Sequence, residues 1–309
     1  MEIDMGSAVN RSPVKAILRA LPAPMVRAMR RVQDRLRRAQ AERAVAAFSG
    51  QVGRRHGLPG ELIVTLTSYP GRYHCLHKTL ISLLQQEVRP DRVILWLGTE
   101  PEKVPPSAVL ELQAHGLEIR FRTDIRSYTK IIPAIEEFPD AYLVTADDDL
   151  YYESGWLRKI VDGFVPGEQA IVCRRAHRPK LEGTGLAPYG EWHQEILSDQ
   201  VERCIFPTTG TGVLFPPGSL SAEVTDSDVF LDLCPHADDV WLFVMALRAG
   251  SRFKQVGGGC PQVPWEASQA TSLMQQNLGL GGNDRQLSAV LAHYGETDRL
   301  IAMLKAPRS

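Results

Sequence analysis

No run of apolar residues in this 309-residue sequence approaches the roughly 20 needed to cross a bilayer, so a spanning helix is not expected. The N-terminus also lacks the uninterrupted apolar core and small-residue cleavage site of a secretory signal, and export is therefore not expected either. Cysteine is scarce. Cys75, Cys173, Cys204, Cys234 and Cys260 are odd in number and contain no C-x-x-C pair, which argues against a disulfide framework and a cysteine-held zinc site. A reducing cytoplasm is the compartment this usage suits. There is no internal repeat, no low-complexity tract and no strong charge excess, the formal net charge being -1, so no nucleic-acid partner is expected.

What charge there is lies unevenly. Arg11, Lys15, Arg19, Arg27, Arg30, Arg31, Arg35, Arg37, Arg38 and Arg43 crowd the first fifth of the chain. Between residues 12 and 48 apolar residues recur at near-helical spacing (Val14, Ile17, Leu18, Leu21, then Met25, Val26, Met29, Val32, Leu36), interrupted at Pro22 and Pro24. The pattern predicts two short basic amphipathic helices. Such an arm either lies peripherally on an anionic membrane, on the inner face of a plasma membrane for a cytoplasmic protein, or packs on its own domain or a second subunit. Gly53, Gly57, Pro59 and Gly60 mark a linker, giving an arm over residues 1–58 and a main domain over 59–309.

From Glu61 short apolar runs alternate with helical stretches, the signature of a mostly parallel sheet covered by helices. Strands are predicted over 62–66, 92–97, 117–121, 141–146, 170–173 and 213–215. Helices are predicted over 73–86, 108–115, 130–137, 156–163 and 238–249. The polar stretch from Arg174 to Glu202 is too long and irregular to be filler in a compact domain and is expected to be functional.

Ligands of open parallel sheets sit beyond the carboxyl ends of the strands, which is where Asp147, Asp148 and Asp149 fall. Strand alternation predicts Asp147 and Asp149 facing one crevice, with Asp148 turned elsewhere. Carboxylates are hard oxygen ligands suited to Mn2+ or Mg2+, whose shell phosphate oxygens commonly complete; a solvated acidic turn is the bland alternative. Thr67, Ser68, Tyr69 and Arg72, after the first strand, offer hydroxyls, an aromatic face and a guanidinium to a nucleotide, or form a plain turn. Lys130 is a candidate phosphate ligand or a solvated charge. Asp238 and Asp239, at a helix start, suit a helix dipole as well as a catalytic base. Thr209, Gly210, Thr211 and Gly212 allow close backbone approach to a sugar, or a tight hairpin. His293 is a candidate metal or phosphate contact.

Together the first-strand turn Val64–Arg72, the motif Thr145-Ala146-Asp147-Asp148-Asp149 and the late motif Ala237-Asp238-Asp239-Val240-Trp241-Leu242 resemble the GT-A class of nucleotide-sugar-dependent glycosyltransferases. Specifically, they resemble the inverting, family-2-like bacterial enzymes that build surface polysaccharides. The resemblance implies a Rossmann-like α/β domain and a nucleotide-diphosphate sugar donor, with a UDP-sugar favoured. It also implies a Mn2+ or Mg2+ ion and a glycan or polysaccharide acceptor. Thr67, Ser68, Tyr69 and Arg72 would bind nucleotide, Asp147 and Asp149 would serve ribose or metal, and Asp239 would be the base, with Asp238 as its competitor because the motif reads Asp-Asp rather than Glu-Asp. A catalytically silent binder of the same fold and a glycoside hydrolase pairing Asp149 with Asp239 are the competing readings.

Overall fold

The computed structural model describes residues 22–50, 53–99, 104–198, 200–258, 260–266 and 282–306. Its centre is an eight-stranded sheet built from β1 (Leu62–Thr67), β2 (Arg92–Gly98), β3 (Leu117–Arg122), β4 (Tyr142–Thr145), β5 (Ala170–Cys173), β6 (Val201–Glu202), β7 (Val213–Phe215) and β8 (Arg252–Gln255). The order across the sheet is β6-β8-β5-β7-β4-β1-β2-β3. The pairs β4/β1, β1/β2, β2/β3 and β5/β8 are parallel. Strand β7 runs antiparallel to both β4 and β5, and β6 antiparallel to β8. The expected layered α/β architecture with a mostly parallel sheet is what the chain adopts.

The strands read as continuous apolar runs because helices cover both sheet faces. In β1, Leu62, Val64 and Leu66 enter one core with Leu76, Leu80 and Leu83 of helix α2 (Tyr73–Leu84), while Ile63 enters the other with Trp96 and Leu143. That second core is closed by helix α6 (Asp238–Arg248), of which Val240, Trp241, Phe243, Val244 and Leu247 are buried.

Several elements depart from the predicted pattern. The helix expected from Lys130 starts at Ile132, running to Glu137 as α3 with Pro133 in its first turn; a 3-10 turn over Arg126–Lys130 precedes it. The expected 108–115 helix is a single turn, Ser107–Leu110, continued as a 3-10 segment to His115. The Arg174 to Glu202 stretch is partly structured: Ala176–His177 pairs with Phe206–Pro207, and Leu181–Glu182 with Gly185–Leu186. It buries Tyr189, Trp192 and Ile196 against the main core. Helices α4 (Trp156–Gly163), α5 (Ser227–Leu233), α7 (Gly282–Tyr294) and α8 (Thr297–Lys305) are the remaining described α-helices.

The arm is one helix where it is described, α1, Ala23–Ala46, of 24 residues. Pro22 caps it and Pro24 sits in its first turn, where a missing N–H costs nothing because that group has no intrahelical partner. The expected break at the prolines is thus a helix start, and the expected first helix lies outside the described residues. No described helix is long and apolar enough to cross a membrane.

Candidate functional site

A cavity of about 520 Å³ opens at the carboxyl ends of β1, β2 and β4, lined by the turn after β1, the segment Asp124–Lys130, the aspartate run, the Thr208–Gly210 turn and the start of α6. This is the crevice in which open α/β sheets hold ligands.

The side chains are placed from beneath. Trp96 Nε1 donates to Thr65 Oγ1 at 2.9 Å, and that hydroxyl donates to the Lys130 carbonyl at 2.5 Å. So held, Lys130 Nζ reaches Asp147 Oδ1 at 2.9 Å, Asp238 Oδ2 at 3.0 Å and Thr209 Oγ1 at 3.1 Å. Burial works against its charge, but the neighbouring Asp147 and Asp238 carboxylates hold its pKa above the ordinary lysine value, so it stays protonated. On the other side of the run, Arg72 pairs with Asp149 and donates from Nε to the Tyr69 hydroxyl at 3.2 Å, while Ser68 Oγ donates to Asp148 Oδ2 at 2.5 Å.

Strand β4 stops at Thr145, so the alternation expected to turn Asp148 away does not extend into the run. All three aspartates line the cavity, each with its own partner: Asp147 with Lys130, Asp148 with Ser68, Asp149 with Arg72. Burial, followed by the lowering effect of Ser68 and Arg72 and the raising effect of its aspartate neighbours, leaves Asp148 pushed up to about 7; burial and the Asp147 charge raise Asp149 as well.

Beside the Lys130–Asp147 pair, Asp239 Oδ1 accepts from the Thr209 backbone N–H at 2.8 Å and from Thr209 Oγ1 at 2.6 Å. Asp238 is buried and ion-paired with Lys130, whereas Asp239 is half-buried and feels that lysine's charge without pairing with it. Burial and the adjacent Asp238 charge push Asp239 up to about 6. A carboxylate with that value is ionised at neutral pH and still able to accept a proton, as a general base must.

Six aspartates (124, 147, 148, 149, 238, 239) line the cavity against four cations, Arg72, Arg126, Lys130 and Arg175. This excess of carboxylates suits a hard dication. Among the described residues no group of three or more His, Cys, Asp or Glu is arranged to hold a metal unaided. The donor set therefore fits a cation held by one or two carboxylates whose remaining ligands come from a phosphate-bearing substrate. Asp147 is the natural first ligand, since its side chain is 40% exposed against 13% and 11% for Asp148 and Asp149.

Thr67, Ser68, Tyr69, Arg72, Lys130, Thr209 and Gly210 line the same cavity. Three candidates do not join them. Thr211 is buried behind the wall, and Gly212, at φ 108°, lies over Trp156, whose indole N–H donates to the Thr211 carbonyl at 2.7 Å; the turn is a 3-10 segment between strands that pair elsewhere, so it is not the hairpin of the alternative reading either. His293 is exposed near the end of α7, edge-on to Tyr294, and does not reach the cavity.

Sequence reasoning missed Tyr152, a buried residue whose hydroxyl accepts from the Asp147 N–H at 2.7 Å and donates to the Gly210 carbonyl at 2.7 Å. It also missed Asp124, Arg126, Arg175, His177, Tyr189 and Gln194. The first two follow the end of β3 and were accessible from topology: Asp124 Oδ1 accepts the Arg126 N–H at 2.8 Å, in a turn that holds Arg126 at φ 64°. Nothing in local sequence marks the others.

Gly210 is a test of how closely the site is fitted. A Cβ there would stand 2.0 Å from Asp147 Oδ2, so Gly210→Ala must displace that carboxylate from its present position beside Lys130. We expect at least a tenfold loss of ligand affinity at the cavity by titration calorimetry, with circular dichroism unchanged; wild-type affinity would show that Asp147 has no part in binding.

No protein-family model matches the chain, and no curated protein does. Among solved structures, glucosyl-3-phosphoglycerate synthase from Mycobacterium tuberculosis with Mn2+, UDP and glucosyl-3-phosphoglycerate is similar at TM-score 0.43 and 14% identity, over 77% of this chain and 81% of that one. The same enzyme with Mn2+, UDP-glucose and glycerol 3-phosphate is similar at TM-score 0.38 and 12% identity over the same shares, and with phosphoglyceric acid at 0.38 and 11%, over 80% of this chain and 89% of that one.

Proposed function

We propose that this protein is a GT-A-type glycosyltransferase that moves a sugar from a nucleotide-diphosphate sugar, a UDP-sugar by preference, to an acceptor hydroxyl with inversion. The acceptor class we propose is a glycan or polysaccharide of the bacterial surface. The observation that carries the reading is the shared cavity: a nucleotide-suited turn after β1, a carboxylate run after β4 and, beside them at the start of α6, the half-buried Asp239.

Thr67, Ser68 and Tyr69 border the mouth on which the nucleoside would rest, with the exposed Tyr69 ring as a stacking face. Lys130 and Arg72 supply fixed positive charge toward the diphosphate. Asp147 and Asp149 would hold Mn2+ or Mg2+, which when bound supplies charge neutralisation for the leaving diphosphate. The acceptor would lie against Arg175, His177, Tyr189, Gln194 and Asn283, which line the same cavity as Asp238 and Asp239. Asp239 takes the proton from the acceptor hydroxyl as its oxygen attacks the anomeric carbon. The two hydrogen bonds from Thr209 fix one carboxylate oxygen and leave Oδ2 for that proton.

The direct test is a thermal-shift panel of nucleotide-sugars with and without Mn2+. A donor at about 100 times its Kd stabilises by about 2.7 kcal/mol, which for a domain of this size means a rise of roughly 5 °C or more. The rise should need the cation and be lost in Asp147→Asn. Absence of a shift with every nucleotide-sugar overturns the reading; a shift without sugar release to any acceptor or to water points instead to a silent binder.

A further inference from the structure

We propose that helix α1 is an interfacial anchor that lays its apolar stripe on an anionic lipid surface. Met25, Met29, Val32 and Leu36 are exposed by 53%, 40%, 55% and 65%. Spaced by four, three and four residues, they fall within an arc of about 60° on a helix of 3.6 residues per turn. Among the described residues the helix is joined to the domain near its other end, where buried Ala41 and Val45 pack with Cys75 and Trp265 and Glu42 pairs with Lys78 at 2.7 Å. Those docking residues project about 180° from the stripe. The apolar face therefore looks directly away from the domain, and residues 27–40 are exposed throughout.

Charge decides between occupants. The helix carries seven arginines (27, 30, 31, 35, 37, 38, 43) against Asp34 and Glu42, a net of five positive charges. Two such helices packed face to face would bring ten together, which disfavours a second copy of this chain. Arg35 and Arg37 flank the stripe on opposite sides, with Arg31 and Arg30 beyond them, an arrangement in which long side chains reach headgroup phosphates while the stripe enters the acyl boundary. A nucleic acid would satisfy the arginines but give the four apolar side chains nothing to bury in.

The stripe is remote from the cavity, so the inference stands apart from the glycosyl-transfer reading. The test is sedimentation of the full chain with vesicles of phosphatidylglycerol and phosphatidylcholine, or of phosphatidylcholine alone. We expect pelleting with the anionic vesicles only, weakened by salt. Each arginine near the surface contributes about fivefold in partition, so Arg35→Glu with Arg37→Glu should lower it at least tenfold. Met29→Asp with Leu36→Asp should do the same, and both pairs should keep the wild-type melting temperature because the altered residues are exposed. Partition unchanged in either pair overturns the proposal. So does a dimer in light scattering that Leu36→Asp dissociates without any vesicle binding, or binding to duplex DNA that ignores the apolar pair.

Discussion

Asp239→Asn should lower kcat by about 10²- to 10⁴-fold, the range a general base supplies, while leaving the affinity for the nucleotide-sugar within about twofold of wild type. The asymmetry follows from where the residue stands. Asp239 is tied to Thr209 and hydrogen-bonds neither the turn after β1 nor the aspartate run, and the amide of asparagine can keep the acceptor bond from the Thr209 N–H. The pH profile separates a base from a structural carboxylate. With its pKa pushed up to about 6 by burial and by Asp238, Asp239 is protonated below that value and cannot accept a further proton. Wild-type kcat should therefore fall as the pH drops through about 6, and the residual activity of Asp239→Asn should lose that limb. Retention of the limb in the variant would assign it to another group, and unchanged turnover would move the base elsewhere.

Asp238, its neighbour in sequence, has a different task because of one contact. The Asp-Asp pair offers two equal candidates in the sequence, and helix capping suits either. What distinguishes them is Lys130, whose ammonium lies 3.0 Å from Asp238 Oδ2. No sequence pattern reports a partner 108 positions away. The same reason limits the reading of the aspartate run: its presence after an apolar strand is plain, but Arg72 and Lys130, which set its electrostatics, come from distant segments. The alternation rule failed at Asp148 because it holds only while the chain is paired as a strand, and pairing ends at Thr145.

The fold shows the same division. Strands β1, β2, β4 and β5 are buried on both faces, so they appear as unbroken apolar runs and were legible within a residue or two. Strand β8, Arg252-Phe253-Lys254-Gln255, is not: at the margin of the sheet only Phe253 and Gln255 turn inward, leaving no apolar run to read. Helices α7 and α8 escaped notice for a related reason. Their buried sets are short, Leu287, Val290 and Leu291 in one and Leu300 in the other, too sparse to declare a face.

Lys130→Met should destabilise the protein by about 3–5 kcal/mol in urea unfolding, because it leaves buried carboxylate charge without a counter-ion. The methionine is close to lysine in volume, so the loss would come from charge rather than from a cavity. Asp238 is the carboxylate that suffers, being buried and reached by the ammonium, whereas Asp147 is exposed enough to be solvated in its absence. This gives the experiment a second arm. Asp238→Asn in the Lys130→Met background should recover a substantial part of the stability, since removing both charges of a buried pair costs less than removing one. Donor binding should not recover with it, because the positive charge that Lys130 is proposed to present toward the diphosphate is still missing. Recovery of both together would make Lys130 a structural counter-ion alone; recovery of stability without binding is the outcome expected of a lysine that holds the floor of the site and also faces the substrate.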